Sequence, residues 1–200
     1  MRLDELATVK TGLVTARKQA KKSSDTIAKY RQLNLRAINA RGYIDDTYLE
    51  DFLATERLKA EYLTQPGDLV VRLTTPYTAI LIDDKWTGLV IPSHFVAIRS
   101  NGKILLPEYL YWLLNTDKVK AELQQNISST MIGTIKPMSY ANLNIEVLSI
   151  AEQKKIAELN LLARKELYLL EQLMGQKEIY YKEALNKIQK EMRRKKREDN

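Results

Sequence analysis

Short apolar runs broken by turn signals fill the first three quarters of the chain, and a helical repeat of apolar positions replaces them after residue 149. Five runs predict strands: 33–39 (LNLRAIN), 68–73 (DLVVRL), 78–83 (TAILID), 88–92 (GLVIP) and 95–100 (FVAIRS). Gln65-Pro66-Gly67-Asp68, Asp83-Asp84-Lys85 and Asn101-Gly102 punctuate them as turns. The last four runs read as a meander. LPEYLYWLLNTDKVKAELQQ (106–125) predicts helical structure, with Pro107 in the first turn, Leu110, Leu113, Leu114 and Val119 at helical spacing, and Tyr111 and Trp112 in the core. The fold class expected is α+β: a globular sheet-plus-helix domain over residues 1–148, followed by one long helix in 149–200.

The second part is the more regular. Ser149-Ile150-Ala151-Glu152 forms a capping box, and the residues after it hold one glycine and no proline. Ile156, Leu159, Ala163, Leu167, Leu170, Met174, Tyr181, Ala184 and Ile188 recur at steps near three and four, with Lys177 interrupting the series. Such heptad-like spacing asks for a partner helix. A helix from about residue 151 to 192 would be roughly 60 Å long, more than a domain of this size can cover. The expectation is a protruding, coiled-coil-forming helix paired with a second copy of the chain. The competing expectation is a hairpin folded at Gly175.

Composition narrows the chemistry. At 200 residues, 44% hydrophobic and 28% charged, the chain is globular, and it has no cysteine and one histidine. Thiolate zinc sites, disulfides and multi-histidine metal sites are excluded. The longest strongly apolar run is six residues (109–114), against about 20 for a membrane-spanning helix. Acidic residues stand where an export signal would be apolar, so a cytoplasmic protein without membrane attachment is expected. The net charge of +7 is uneven: residues 1–41 carry ten basic and three acidic side chains, 42–150 nine and thirteen, and 151–200 thirteen and nine. Clustered basic surface, as in RKQAKK (17–22) and RRKKR (193–197), is the footprint of a polyanion binder.

No glycine-rich phosphate loop occurs. Asp68, Asp83 and Lys85 superficially match two metal-holding carboxylates and a charge-stabilising lysine, so a metal-dependent nuclease stays open; a coiled-coil scaffold that binds no DNA is the other alternative. Asp68 and Asp83 also read as ordinary turn residues, and His94 at a strand start reads as a packed histidine. Contacts to bases and phosphates are better supplied, by the segments 11–22, 39–43, 72–77 and 124–136. Arg17, Lys18, Arg36, Arg41, Arg72, Thr75, Tyr77, Ser129, Thr130 and Lys136 are the candidate DNA contacts by loop position and chemistry.

The order of these pieces resembles the DNA specificity (S) subunits of type I restriction-modification enzymes. The end of a specificity domain is matched by STMIGTIKPMSYANLNIEVLSIAEQKKIAEL, with Gly133, Leu143, Ile145, Val147, Glu152, Gln153 and Ile156 in the corresponding places. QPGDLVVRL looks like the family's Gly-Asp strand opener, LPEYLYWLLNT like its Pro-x-Tyr-Leu helix and VKTGLVTARK like its first glycine loop. Ser149-Ile150-Ala151 stands where the family usually carries proline. The resemblance implies a half-length subunit with one target-recognition domain, where typical members carry two such domains and two helices.

It also implies a division of labour. A specificity subunit reads double-stranded DNA, while methyltransferase subunits, and indirectly a restriction and translocase subunit, do the chemistry. No Asn-Pro-Pro-Tyr or Asp-Pro-Pro-Tyr methyltransferase motif is present, and no cofactor or metal is expected. The helix from Glu152 to Met192 would dock the methyltransferase and, through antiparallel pairing of two copies, carry two recognition domains to a bipartite, palindromic target.

Overall fold

The computed structural model describes residues 1–39, 41–125 and 133–198, with side chains as far as residue 194. It divides into two compact units, residues 1–159 and 160–200.

The first unit is built on a four-stranded antiparallel sheet in the order β1 (Ala7–Thr11), β6 (Phe95–Ser100), β4 (Leu69–Arg72), β5 (Ala79–Leu81). Register pairs such as Val9↔Ile98, Val71↔Val96 and Leu69↔Leu81 fix which residues share a face. Leu69, Val71, Val96 and Ile98 face one side and join a core with α1 (Leu3–Leu6), α2 (Pro107–Leu114), α3 (Asp117–Gln125) and α4 (Pro137–Ala141). Val70, Ile80, Phe95 and Ala97 face the other side and meet Leu33, Ile38, Leu89 and Ile91. Burial on both faces is why 69–71 is a continuous apolar run instead of an alternating one. An antiparallel ribbon of β2 (Ala28–Gln32) and β3 (Glu50–Ala54) covers a smaller core of Leu13, Phe52, Ala54 and Val90.

Three predicted strands appear as β4, β5 and β6, but the meander does not. β6 passes to the far side of β4 and also receives β1. Segment 88–92 is extended without being a ladder strand: Val90 donates to Arg31 O and Ile91 to Tyr62 O, while Leu33 and Leu13 donate to Val90 O and Ile91 O. Its backbone is shared among several segments, a pairing invisible to local pattern. Segment 33–39 is a turn instead of a strand, because the Asn34 side chain accepts the Arg36 and Ala37 N–H groups and ends the extended run of β2.

The helical segment 106–125 consists of α2 and α3, separated at Asn115-Thr116. Asn115 pairs with the Ala79 backbone through both ends of its amide, acting as a substitute edge for β5. The Thr116 hydroxyl donates to Leu113 O and accepts from Val119 N, closing one helix and opening the next. The final helix, α5 (Ile150–Glu198), runs unbroken through Gly175, which removes the hairpin alternative. Its 49 residues correspond to about 73 Å of helix. Ser149 and Glu152 make the expected reciprocal cap, with Ser149 N–H donating to Glu152 Oε2 at 2.9 Å and Glu152 N–H to Ser149 Oγ at 3.4 Å.

Candidate nucleic-acid interface

The basic side chains proposed from sequence fall at the two ends of the β2–β3 ribbon. At the Ala28↔Ala54 end, the loop after β1 is tied to β3: Ala20 N–H donates to Leu53 O, Thr55 N–H donates to Lys18 O and Gln19 bridges Ala54. This holds Arg17, Lys21 and Lys22 exposed, while Lys18 is half-buried and pairs with Glu56 at 2.8 Å. Gly12 precedes this loop with its Cα against the backbone oxygens of Ile91 and Pro92, where any Cβ would collide.

A second group lies beyond the Gln32↔Glu50 end, and five paired residues at about 3.3 Å per step put the two ends roughly 13 Å apart. Arg72 organises this group. Its guanidinium donates to Leu35 O at 3.3 Å and to Thr75 O at 3.0 Å, tying the 34–36 turn to the 74–77 loop. Ile135 N–H donates to Leu73 O, Thr74 bridges Thr134, and the Tyr140 hydroxyl donates to Arg72 O. Three loops are thereby tied together, carrying exposed Arg36, Thr75 and Lys136. Arg41 is exposed on the neighbouring 39–43 turn.

Tyr77 has a different job. It is buried in the first core with a left-handed φ of 56°, and its hydroxyl donates to Gly133 O at 2.7 Å, so it braces the loop from below. Ser129 and Thr130 lie outside the described residues. Sequence reasoning missed Asn34 and Asn39, whose Oδ1 atoms accept the N–H groups of Arg36 and Arg41. The signal was an Asn-x-Arg spacing used twice within eight residues, each Asn bending the backbone around the arginine that follows it two places on.

Electrostatics beneath the loops are those of a half-buried base beside a fixed cation. Burial is the main cause that lowers the pKa of His94, the Arg72 charge lowers it further, and Glu50 opposes both. Burial also lowers the pKa of Arg72. His94 Nε2 and Arg72 Nε are buried without hydrogen-bond partners. The ring of His94 lies 4.5 Å from that of Phe95, as the packed reading of this residue requires.

The three residues of the nuclease alternative are not assembled as such a site. Asp68 is buried, and its two oxygens accept from Arg99 Nε and Nη2 at 2.9 Å, with a further bond from Gln65 N–H. Asp83 is exposed, and Lys85 stacks on the Trp86 ring at 4.3 Å. Among the described residues no group of three acidic or histidine side chains could hold a metal, and no helix is long and apolar enough to cross a membrane.

The architecture, an antiparallel-sheet head ending in one long helix, is shared with solved proteins. The HsdS subunit from Thermoanaerobacter tengcongensis superposes with a TM-score of 0.64 at 18% identity, over 86% of this chain and 43% of that one. The chain has the fold of a type I S subunit. A second solved structure, described as the basis of complex assembly and conformational transition of the type I R-M system, gives a TM-score of 0.64 at 18% identity, covering 85% of this chain and 43% of its own. The chain therefore spans less than half the length of the S-subunit structures it resembles. No family model and no curated protein matches it.

At the start of α5, the Glu152-Gln153 pair quoted in the resemblance has a structural reason in this chain. Gln153 is fully buried and saturated: its amide nitrogen donates to Ile104 O and Leu148 O, and its oxygen accepts from Leu106 N–H, all at 2.8 Å. Ala157 is buried and Ile156 packs on the first core, so the first two turns of α5 belong with the head. Leu159, Ala163, Leu167, Leu170, Met174, Tyr181 and Ile188 are exposed and Ala184 is half-buried.

Proposed function

We propose that this chain is a sequence-specific DNA-binding specificity subunit of a type I restriction-modification system, not itself an enzyme, acting in the cytoplasm. The observation that carries the reading is the S-subunit fold over 86% of the chain. Three tied loops presenting Arg36, Thr75 and Lys136, and a second cationic loop at the other end of the ribbon, supply the phosphate and base contacts such a role needs. Arg41 and Arg17 add to the two groups.

The division of labour follows. The head reads double-stranded DNA; α5 docks methyltransferase subunits and, through them, a restriction and translocase subunit. The apolar line along α5 joins two copies in antiparallel fashion, so that two heads engage a bipartite target. Selection of bound duplexes from a randomised pool, with and without methyltransferase subunits, tests this. Enrichment of a two-part sequence is expected; no enrichment with the methyltransferase present overturns the reading, as does magnesium-dependent plasmid cutting by the chain alone that Asp83→Ala abolishes.

A further inference from the structure

The apolar line along α5 holds one charge, and charges of both signs flank it. From Ala163 the line proceeds in strict alternation of four and three through Leu167, Leu170, Met174, position 177, Tyr181, Ala184 and Ile188. Lys177 occupies one of the line's own places. Its neighbours three and four residues away are Leu173, Met174, Tyr180 and Tyr181, with no acid among them, and its ammonium leans over the Tyr180 ring at 5.9 Å. Glu166 sits beside Leu167, and its corresponding neighbours are Leu162, Ala163, Leu169 and Leu170. Each charge is thus embedded in surface that any partner helix would cover. A charge covered without a counter-charge is costly, and one covered against a like charge more so.

This excludes most ways of pairing two copies. In a parallel pair Lys177 meets Lys177 and Glu166 comes beside Glu171. In antiparallel pairs the sum of facing residue numbers is constant, and registers that keep the apolar line intact differ by seven residues. With facing residues summing to 344, Leu170 meets Met174 and Ala163 meets Tyr181, small against large. The same register sets Lys177 beside Glu166 of the second copy, twice by symmetry, and Arg164 beside Glu178. Seven residues one way, Lys177 faces Met174; seven the other way, Lys177 faces Asn160; in neither does it meet an acid. Of the three, only the middle register gives both Lys177 and Glu166 a counter-charge, at the cost of bringing Glu171 beside Glu171 of the second copy at the axis.

We infer that two copies of this chain pair through α5 in an antiparallel register whose two-fold axis passes beside Gln172, locked by reciprocal Glu166–Lys177 pairs. This rests on the self-association in the functional reading above and specifies its geometry.

The chain has no native cysteine, which makes the test direct. Full-length Ala163→Cys and Tyr181→Cys chains are oxidised separately and as a mixture. Residues 163 and 181 lie roughly 27 Å apart on the helix, so each variant alone stays uncrosslinked and only the mixture yields a covalent dimer. Crosslinking of either variant alone means a parallel pair and overturns the inference; failure of the mixture overturns the register. In sedimentation equilibrium, K177E and E166K each weaken self-association by roughly tenfold or more, and E166K/K177E restores it. A strict monomer, or a double variant as weak as the singles, overturns the proposal. None of these readouts involves DNA. A crosslinked dimer that ignores DNA sinks the functional reading and leaves the register standing, and a DNA-reading monomer does the reverse.

Discussion

Two polar residues, Gln153 buried and His94 half-buried, show how single side chains set the stability of this head. Gln153 satisfies three backbone groups from two separate segments, so replacing its amide by an equally large apolar group orphans all three. Gln153→Leu is expected to cost about 2–3 kcal/mol, read as a lower urea midpoint; an unchanged midpoint would show that these bonds are dispensable. His94 makes stability depend on pH. Its folded pKa is below its unfolded value near 6.5, so the unfolded chain takes up the proton first as pH falls. His94 costs nothing above that value, where both states are neutral, and destabilises the fold progressively as pH drops below it. The urea midpoint should fall between pH 7.5 and 5.5, and fall less in His94→Gln; equal losses in both proteins would refute the assignment.

At the scale of elements, each departure from local pattern has a hydrogen-bonding cause. Asn115 separates α2 from α3 because its amide completes the edge of β5, and Asn34 turns a predicted strand into a turn. AKYRQ alternates weakly and EDFLA not at all, and their polar residues hide strands that bury one narrow face. The loop opened by Gly12 depends on contact between two backbones. Gly12→Ala must push the 11–13 segment off Ile91 and Pro92; the expected result is a loss of 1–3 kcal/mol or more in thermal unfolding, with the largest rise in hydrogen exchange at Leu13, which donates to Ile91 O.

For the molecule as a whole, the expected signature of function is salt dependence. If Arg36 and Lys136 contact phosphates, Arg36→Ala and Lys136→Ala should each reduce DNA affinity across sequences and lower the slope of log affinity against log salt by about one. Equal slopes in variants and parent would remove them from the interface. Both are exposed, so their loss leaves the core intact, whereas Arg72→Ala would also release the 34–36 and 74–77 loops.

The sequence by itself determined the features that local chemistry decides. Helical periodicity and a capping box placed the start of α5, apolar runs between turns placed β4, β5 and β6, and the charge distribution marked the basic loops. The order of motifs pointed to the S-subunit fold that superposition then found. Tertiary structure alone decided sheet order, the splitting of 106–125, and which candidate residues stand together. Arg36, Arg72, Thr75 and Lys136 are scattered over a hundred positions of chain and meet through bonds to backbone groups far away in sequence. Asp68 was ambiguous on paper between a metal ligand and a turn residue, and Arg99, 31 residues on, settled its role. Periodicity and caps act within one or two turns of chain and leave a trace in any short window; pairing across long loops depends on which distant groups meet, and no window of sequence contains that.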